Sequence, residues 1–358
     1  MHSADRTDTP RPLLIANPAA GRGRTGRDLG HLIAAVRGAV GAIDVVETRA
    51  RGDATRVAAG AARRGRPLVV GLGGDGTLSE IANGLLTTAE PRLTTAEPQQ
   101  PWPPRARPAT ARRARAQAMP VLGHVATGTG GDFHRSLGVA NTLSDCLAAL
   151  AGDAEQTIDV GVARFRDHDG REVQRCWLNV LSAGVGGLVD RYAAAAPARL
   201  GGRLAYGQAA LRAIVVCRRA KLRCRYVDVD GSPAERAFDG HALAICNGST
   251  FGGGMRIAPM AKLDDGVLEV VAFETRTRWR LVQRFGTVYA GTHTQEPGVS
   301  HFSCRSLLLE PCERPLASPS RETLFALDVD GDAQGDIPLA VGVLPAALRI
   351  RVPAGRAR

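Results

Sequence analysis

Long apolar runs are missing from this chain of 358 residues. None reaches the roughly 18 consecutive apolar positions that a bilayer-spanning helix needs, which excludes a helical membrane protein. The stretch Met1 to Pro12 carries charges and prolines but not the apolar core of a secretory signal, so a cytoplasmic protein is expected. No two of the seven cysteines form a close Cys-x-x-Cys pair, which argues against zinc and dithiol redox motifs and predicts reduced, mostly buried thiols. Aromatic residues make up only 4%, the arginines are spread along the chain, and no recognition motif accompanies them, so nucleic acid is not an expected partner. Lysine is nearly absent: Lys221 and Lys262 stand alone, and arginine carries almost all of the positive charge behind a net +11. Such a surface favours partners that bear phosphate, whether nucleotide or anionic lipid.

What is present reads as a globular chain, 44% hydrophobic and 23% charged. At roughly 150 residues per domain, two domains are expected. Residues 1–154 alternate strand and helix: strands at Pro12 to Ala16, Ile43 to Glu47, Leu68 to Leu72 and Val121 to Val125, and helices at Thr25 to Val40 and at Asp53 to Arg64, the latter N-capped by Asp53. This interval implies a mostly parallel sheet with helices on its faces. The pattern breaks over 86–118, where Leu86 to Pro91 (LTTAEP) recurs at Leu93 to Pro98 before a Pro/Arg-rich tract, as in an inserted flexible loop. From about residue 155 to 358 short alternating segments predominate, among them Cys176 to Leu181, Leu222 to Val229, His241 to Cys246, Val267 to Phe273 and Leu348 to Val352. They predict an antiparallel β-sandwich or barrel, with one main helix at Ala205 to Arg218.

Leu68 to Glu80 (LVVGLGGDGTLSE) is the strongest local signal, an apolar strand running into Gly73, Gly74, Asp75, Gly76 and Thr77 and then a helix. Glycines let backbone N–H groups approach phosphate, and the helix adds its positive end. Asp75 is then placed to meet Mg²⁺, directly or through a water. A tight strand-to-helix turn is the alternative. Asn17 to Gly23 (NPAAGRG), with Asn17 as a polar hook and Gly21 and Gly23 permitting close approach, follows the first strand. Thr127 to Phe133 (TGTGGDF), offering Thr129 and Asp132, follows the fourth. Loops at successive strand ends converge on one edge of a parallel sheet, where open α/β folds bind ligands.

With Asn247 to Pro259 (NGSTFGGGMRIAP), Lys262 to Val267 (KLDDGV) and Asp330 to Asp332 (DGD), the ordered set resembles the diacylglycerol kinase catalytic-domain family in its bacterial soluble lipid kinase branch, related to sphingosine kinases and NAD kinases. The resemblance runs from about Leu13 to Pro353. It implies an NAD-kinase-like α/β domain, a C-terminal β-sandwich whose last residues return to the first domain, and an active site in the cleft between them. It further implies an ATP- and Mg²⁺-dependent enzyme that phosphorylates a hydroxyl of a diacylglycerol-like lipid, working transiently at the inner face of the membrane, with a homodimer allowed.

By the same resemblance Thr48, Gly74 to Glu80 and Thr129 bind ATP. Lys262, Asp265 and Val267 hold a structural Mg²⁺ through one carboxylate and two carbonyls, and Asp330 with Asp332 supplies the catalytic carboxylates. Read without the family, KLDDGV is an acidic hairpin turn and DGD an acidic β-turn. The chain departs from the family pattern at Ala126, where proline is usual, at Gly131, where asparagine is usual, and at Asp332, where glutamate is usual. That last change shortens the side chain by about 1.5 Å. An NAD-kinase-like soluble kinase and a catalytically weakened nucleotide- or lipid-binding protein are the alternatives.

Overall fold

The computed structural model describes residues 10–87, 116–128, 130–194, 202–283, 285–312 and 325–356. Most of the 86–118 insertion and Thr129 therefore lie outside the described residues. In the first half, β1 (Leu13–Ala16), β2 (Asp44–Glu47), β3 (Leu68–Gly73) and β4 (Val121–Ala126) form a parallel sheet in the order β2-β1-β3-β4. Alternation along these strands sends side chains to two cores. Leu13, Ile15 and Val69 meet Ala58, Leu78, Ile81 and Leu85 of the helices Asp53–Arg63 and Asp75–Thr87 on one face. Leu14, Val70 and Leu72 meet Leu32 and Val36 of the helix Leu29–Val40 on the other. This is the helix-on-both-faces arrangement that burial of a parallel sheet demands.

The second half is antiparallel: β5 (Glu155–Asp167), β6 (Glu172–Trp177), β7 (Val180–Gly184), β8 (Ala220–Val227), β9 (Pro233–Gly240), β10 (Ala242–Cys246), β11 (Leu268–Phe273), β12 (Val299–Cys304), β13 (Ser306–Pro311), β14 (Ala326–Val329) and β15 (Asp332–Arg351). Their inward faces enclose a core centred on Trp177, Phe238 and Phe325. The helices Val185–Ala194 and Gly202–Val216 pack on each other beside it. The two halves share one sheet. The 20-residue β15 pairs antiparallel with β14, β13 and β5, then sets Ile350 parallel beside Leu122 of β4.

Two local expectations are corrected. The segment Cys176 to Leu181 is not one strand, because it breaks at Leu178 and Asn179, whose N–H groups turn to a side chain (below) instead of a neighbouring strand. The helix at 53 is N-capped by Gly52 in the left-handed region (φ 85°), and the Asp53 carboxylate accepts from the Arg49 and Ala50 N–H groups before it. Among the described residues six cysteines are buried free thiols and Cys312 is exposed. No described helix is long and apolar enough to cross a membrane.

Candidate active site

A cleft of about 2070 Å³ opens between the ends of the parallel strands and the second half. Asn17, Gly21, Thr48, Gly74, Asp75, Gly76, Thr77, Glu80, Asp330 and Asp332 all line it, whereas Gly73, Lys262, Asp265 and Val267 do not. Gly73 is buried beneath the loop, where a Cβ would stand 2.5 Å from the Thr77 hydroxyl. Thr77 in turn accepts from the Asn17 amide at 2.9 Å, which fastens the first glycine loop to the second. The second and third loops touch through bare backbone, since a Cβ on Gly128 would lie 2.6 Å from the Gly74 Cα. Gly21, with φ +59°, comes equally close to the Thr127 carbonyl. These glycines let three loops nest at one point, a need that side chains would defeat.

Asp75 begins the helix that follows the phosphate-type loop, and its Oδ2 accepts from the Asp132 N–H at 3.1 Å. Burial and the neighbouring Asp132 raise its pKa against that donor. The Asp132 carboxylate also accepts from the Gly253 N–H at 2.7 Å and from Arg135 at 2.8 Å, so the third loop grips the glycine turn of the second half. Ser136 adds to this seam, donating to Asn179 Oδ1 at 2.6 Å, and Asn179 donates to the Thr250 carbonyl.

Behind the loop, His124 Nε2 faces the Gly73 carbonyl at 3.3 Å and its Nδ1 faces His134 Nε2 at 3.2 Å. A carbonyl can only accept, so His124 carries its proton on Nε2 and receives the His134 N–H on Nδ1. Burial lowers both imidazoles to about 4, so they are neutral props for the loop at pH 7.

Asp330 sits with Gly331 in a two-residue turn joining β14 to β15, both residues at positive φ (52° and 84°), a geometry that Asp-Gly favours. Its carboxylate accepts from the N–H groups of Leu178, Asn179 and Val180 at 2.8, 2.9 and 3.2 Å, and the nearby Ser79 hydroxyl also favours its ionised form. Burial nonetheless pushes it up to about 6. Asp332 is half-exposed and pairs with Arg51 from the opposite wall and with Gln334. Glu80 accepts from the Gly52 N–H at 3.0 Å, steadying the loop that bears Arg51.

The turn at Lys262 to Val267 lies elsewhere, closed from inside by Asp159. That buried carboxylate accepts from the Gly266 N–H at 2.6 Å and the Ala346 N–H at 2.7 Å. Burial, with Asp265 and Asp264 adding to it, lifts Asp159 to about 6. Asp159, Arg51 and the histidine pair escaped the sequence reading, and Ser79 entered it only within the Gly74 to Glu80 loop. An acid between Ile158 and Val160 in an apolar strand was the one available signal. A separate apolar cavity of about 100 Å³, walled by Val185, Val189, Met255 and Leu281, shares Ala210, Ile214 and Phe251 with the cleft.

Residues 11–163 match the model of the diacylglycerol kinase catalytic domain, and residues 179–352 that of the YegS C-terminal NAD kinase beta sandwich-like domain. A Stenotrophomonas maltophilia protein named "Probable lipid kinase YegS-like" is 28% identical over 97% of both chains. A Staphylococcus haemolyticus protein named "Diacylglycerol kinase" is 24% identical, covering 91% of this chain and 83% of its own. A Bacillus anthracis crystal structure titled as a diacylglycerol kinase superposes with a TM-score of 0.62 at 20% identity, covering 98% of this chain and 99% of that one, a likeness of fold.

Proposed function

The chain belongs to the diacylglycerol kinase catalytic-domain family, and on that premise we propose that it transfers the γ-phosphoryl group of ATP to a hydroxyl of a diacylglycerol-like lipid. One observation carries the reading. The Asp330 carboxylate opens on the same cleft as the Gly74–Thr77 loop, beside Ser79 of that loop's helix, which favours its ionised form. In this mechanism the loop glycines and the first turn of the helix Asp75–Thr87 cradle phosphate, and Asp330 accepts the proton of the attacking hydroxyl. A base held near pKa 6 is deprotonated at neutral pH yet able to take a proton.

Mg²⁺ suits the oxygen-only donors around Asp75, whose carboxylate would hold it directly or through a water, and when bound it neutralises phosphate charge. The Lys262, Asp265 and Val267 set would hold a second cation through two backbone carbonyls and the Asp265 carboxylate, one oxygen of which also accepts from the Val267 N–H at 3.1 Å. The adjoining apolar cavity favours an acceptor with a hydrocarbon part over NAD.

Purified protein with labelled ATP and Mg²⁺, offered diacylglycerol, phosphatidylglycerol, sphingoid base and NAD in parallel, tests the proposal. Transfer to a lipid supports it, and NADP formation alone or no transfer overturns it. A nucleotide binder with weak turnover is the second reading. It is favoured by Asp332, whose carboxylate is engaged by Arg51 and Gln334.

A further inference from the structure

Of the eight large apolar side chains exposed among the described residues, six fall on two neighbouring segments: Leu211, Val215 and Val216 on the helix Gly202–Val216, and Trp279, Val282 and Tyr289 within 279–290. Leu211 and Val215 lie four residues apart on the first, Trp279 and Val282 lie three apart on the helix Trp279–Gln283, and Tyr289 is on the helix Phe285–Ala290. In the first helix Ala209, Ala210, Ala213 and Ile214 are buried, while Leu211 and Val215 point out. An ordinary solvent-facing helix places polar residues at such positions. Leu211, Val282 and Tyr289 also line the cleft, so the apolar face forms its rim.

The charge is as lopsided as the hydrophobicity. Over 202–220 and 275–290 the sequence has eight arginines and no aspartate or glutamate. Arg276 and Arg280 are exposed beside Trp279, while Arg212 lies over the Tyr192 ring at 4.4 Å. Apolar side chains framed by arginines match the headgroup boundary of an anionic bilayer, where arginine pairs with lipid phosphate and tryptophan is enriched.

On the footing of the lipid-kinase reading, we propose that this face docks on an anionic bilayer and turns the mouth of the cleft to the lipid surface.

Sedimentation of the full chain with vesicles tests this without ATP or turnover. The wild type is expected to bind phosphatidylcholine vesicles containing phosphatidylglycerol and to bind pure phosphatidylcholine weakly. Trp279→Ser with Val215→Ser should reduce the first by at least about tenfold. Arg276→Ser and Arg280→Ser should each reduce it by about fivefold, on the anionic vesicles only. None of these four residues lines the cleft, so phosphoryl transfer in detergent micelles should stay within about twofold of wild type. A wild type that ignores the vesicles, binds neutral vesicles equally well, or binds unchanged in the variants overturns the docking face. So does a wild-type dimer that Trp279→Ser converts to monomer, since a second copy would then own the surface. Absent phosphoryl transfer with this binding pattern intact would defeat the kinase reading alone.

Discussion

The Ser79 hydroxyl stands near the Asp330 carboxylate in the cleft and favours its ionised form, so the helix that starts at the glycine loop tunes the acid of the second half. Asp330→Asn replaces an acceptor of three N–H groups with an amide that can satisfy only some of them. Phosphoryl transfer should fall by at least about 10²-fold, while unfolding in urea should show a loss of about 1–3 kcal/mol with the folded signal retained. Ser79→Ala should lower turnover far less and shift the acid limb of the rate profile upward, because the hydroxyl favours the ionised form.

That acid limb is itself a prediction. With Asp330 raised to about 6, kcat/KM should climb with pH through about 6 and level off above it. A limb near the ordinary aspartate value of 3.8 would move the base elsewhere.

Stability should carry opposed trends over the same range. Asp330 and Asp159 bind protons more tightly folded than unfolded, so their contribution falls as pH rises from about 4 to about 6. His124 and His134 are held at about 4 against 6.5 unfolded, so theirs falls as pH drops from 6.5 towards 4. Asp159→Asn removes part of the first trend. Denaturation midpoints of that variant should rise more steeply between pH 4.5 and 6.5 than those of the wild type.

Gly131 has φ +67°, and a Cβ there would meet the Asn141 amide at 2.2 Å. Gly131→Ala should destabilise by about 1–2 kcal/mol. Gly131→Asn combined with Asn141→Ala should recover most of that, because asparagine tolerates the left-handed region and the shortened neighbour clears its path. Thermal melts of the three proteins decide it.

Arg51 and Asp332 form a pair open to solvent on both sides, with side chains 67% and 41% exposed. Arg51→Ala should therefore change stability by no more than about 0.5 kcal/mol. If the pair holds Asp332 in position, turnover should fall several-fold at nearly unchanged KM for ATP, measured at saturating lipid.

The sequence conveyed the parallel half well, because strand, glycine loop and helix are contiguous there and each carries its own periodicity. The loop residues Asn17, Gly74, Thr77 and Glu80 were legible for the same reason. Asp330 was legible as part of DGD, but its grip on Leu178 to Val180, about 150 positions away, was not, since no local pattern encodes so distant a hydrogen bond. The split of Cys176 to Leu181 follows from that same contact. Asp159 hid for a related reason: its partners Gly266 and Ala346 are backbone groups, which leave no mark in residue type. The long β15 read as only a short segment at Leu348 to Val352, because it changes neighbours along its length and its burial pattern changes with them.

β15 also sets the order in which the molecule can be completed. Leu348, Ile350 and Val352 belong to the same core as Leu13, Ile15 and Val69, so part of the first half's interior is supplied by residues translated much later than the strands they cover. During synthesis the glycine loops emerge early, yet that core stays open until the later half has been made and has folded back upon it. A nascent chain of this design exposes an unfinished apolar face while residues 155–347 are being made, and residues 1–154 expressed alone would be left in that state permanently.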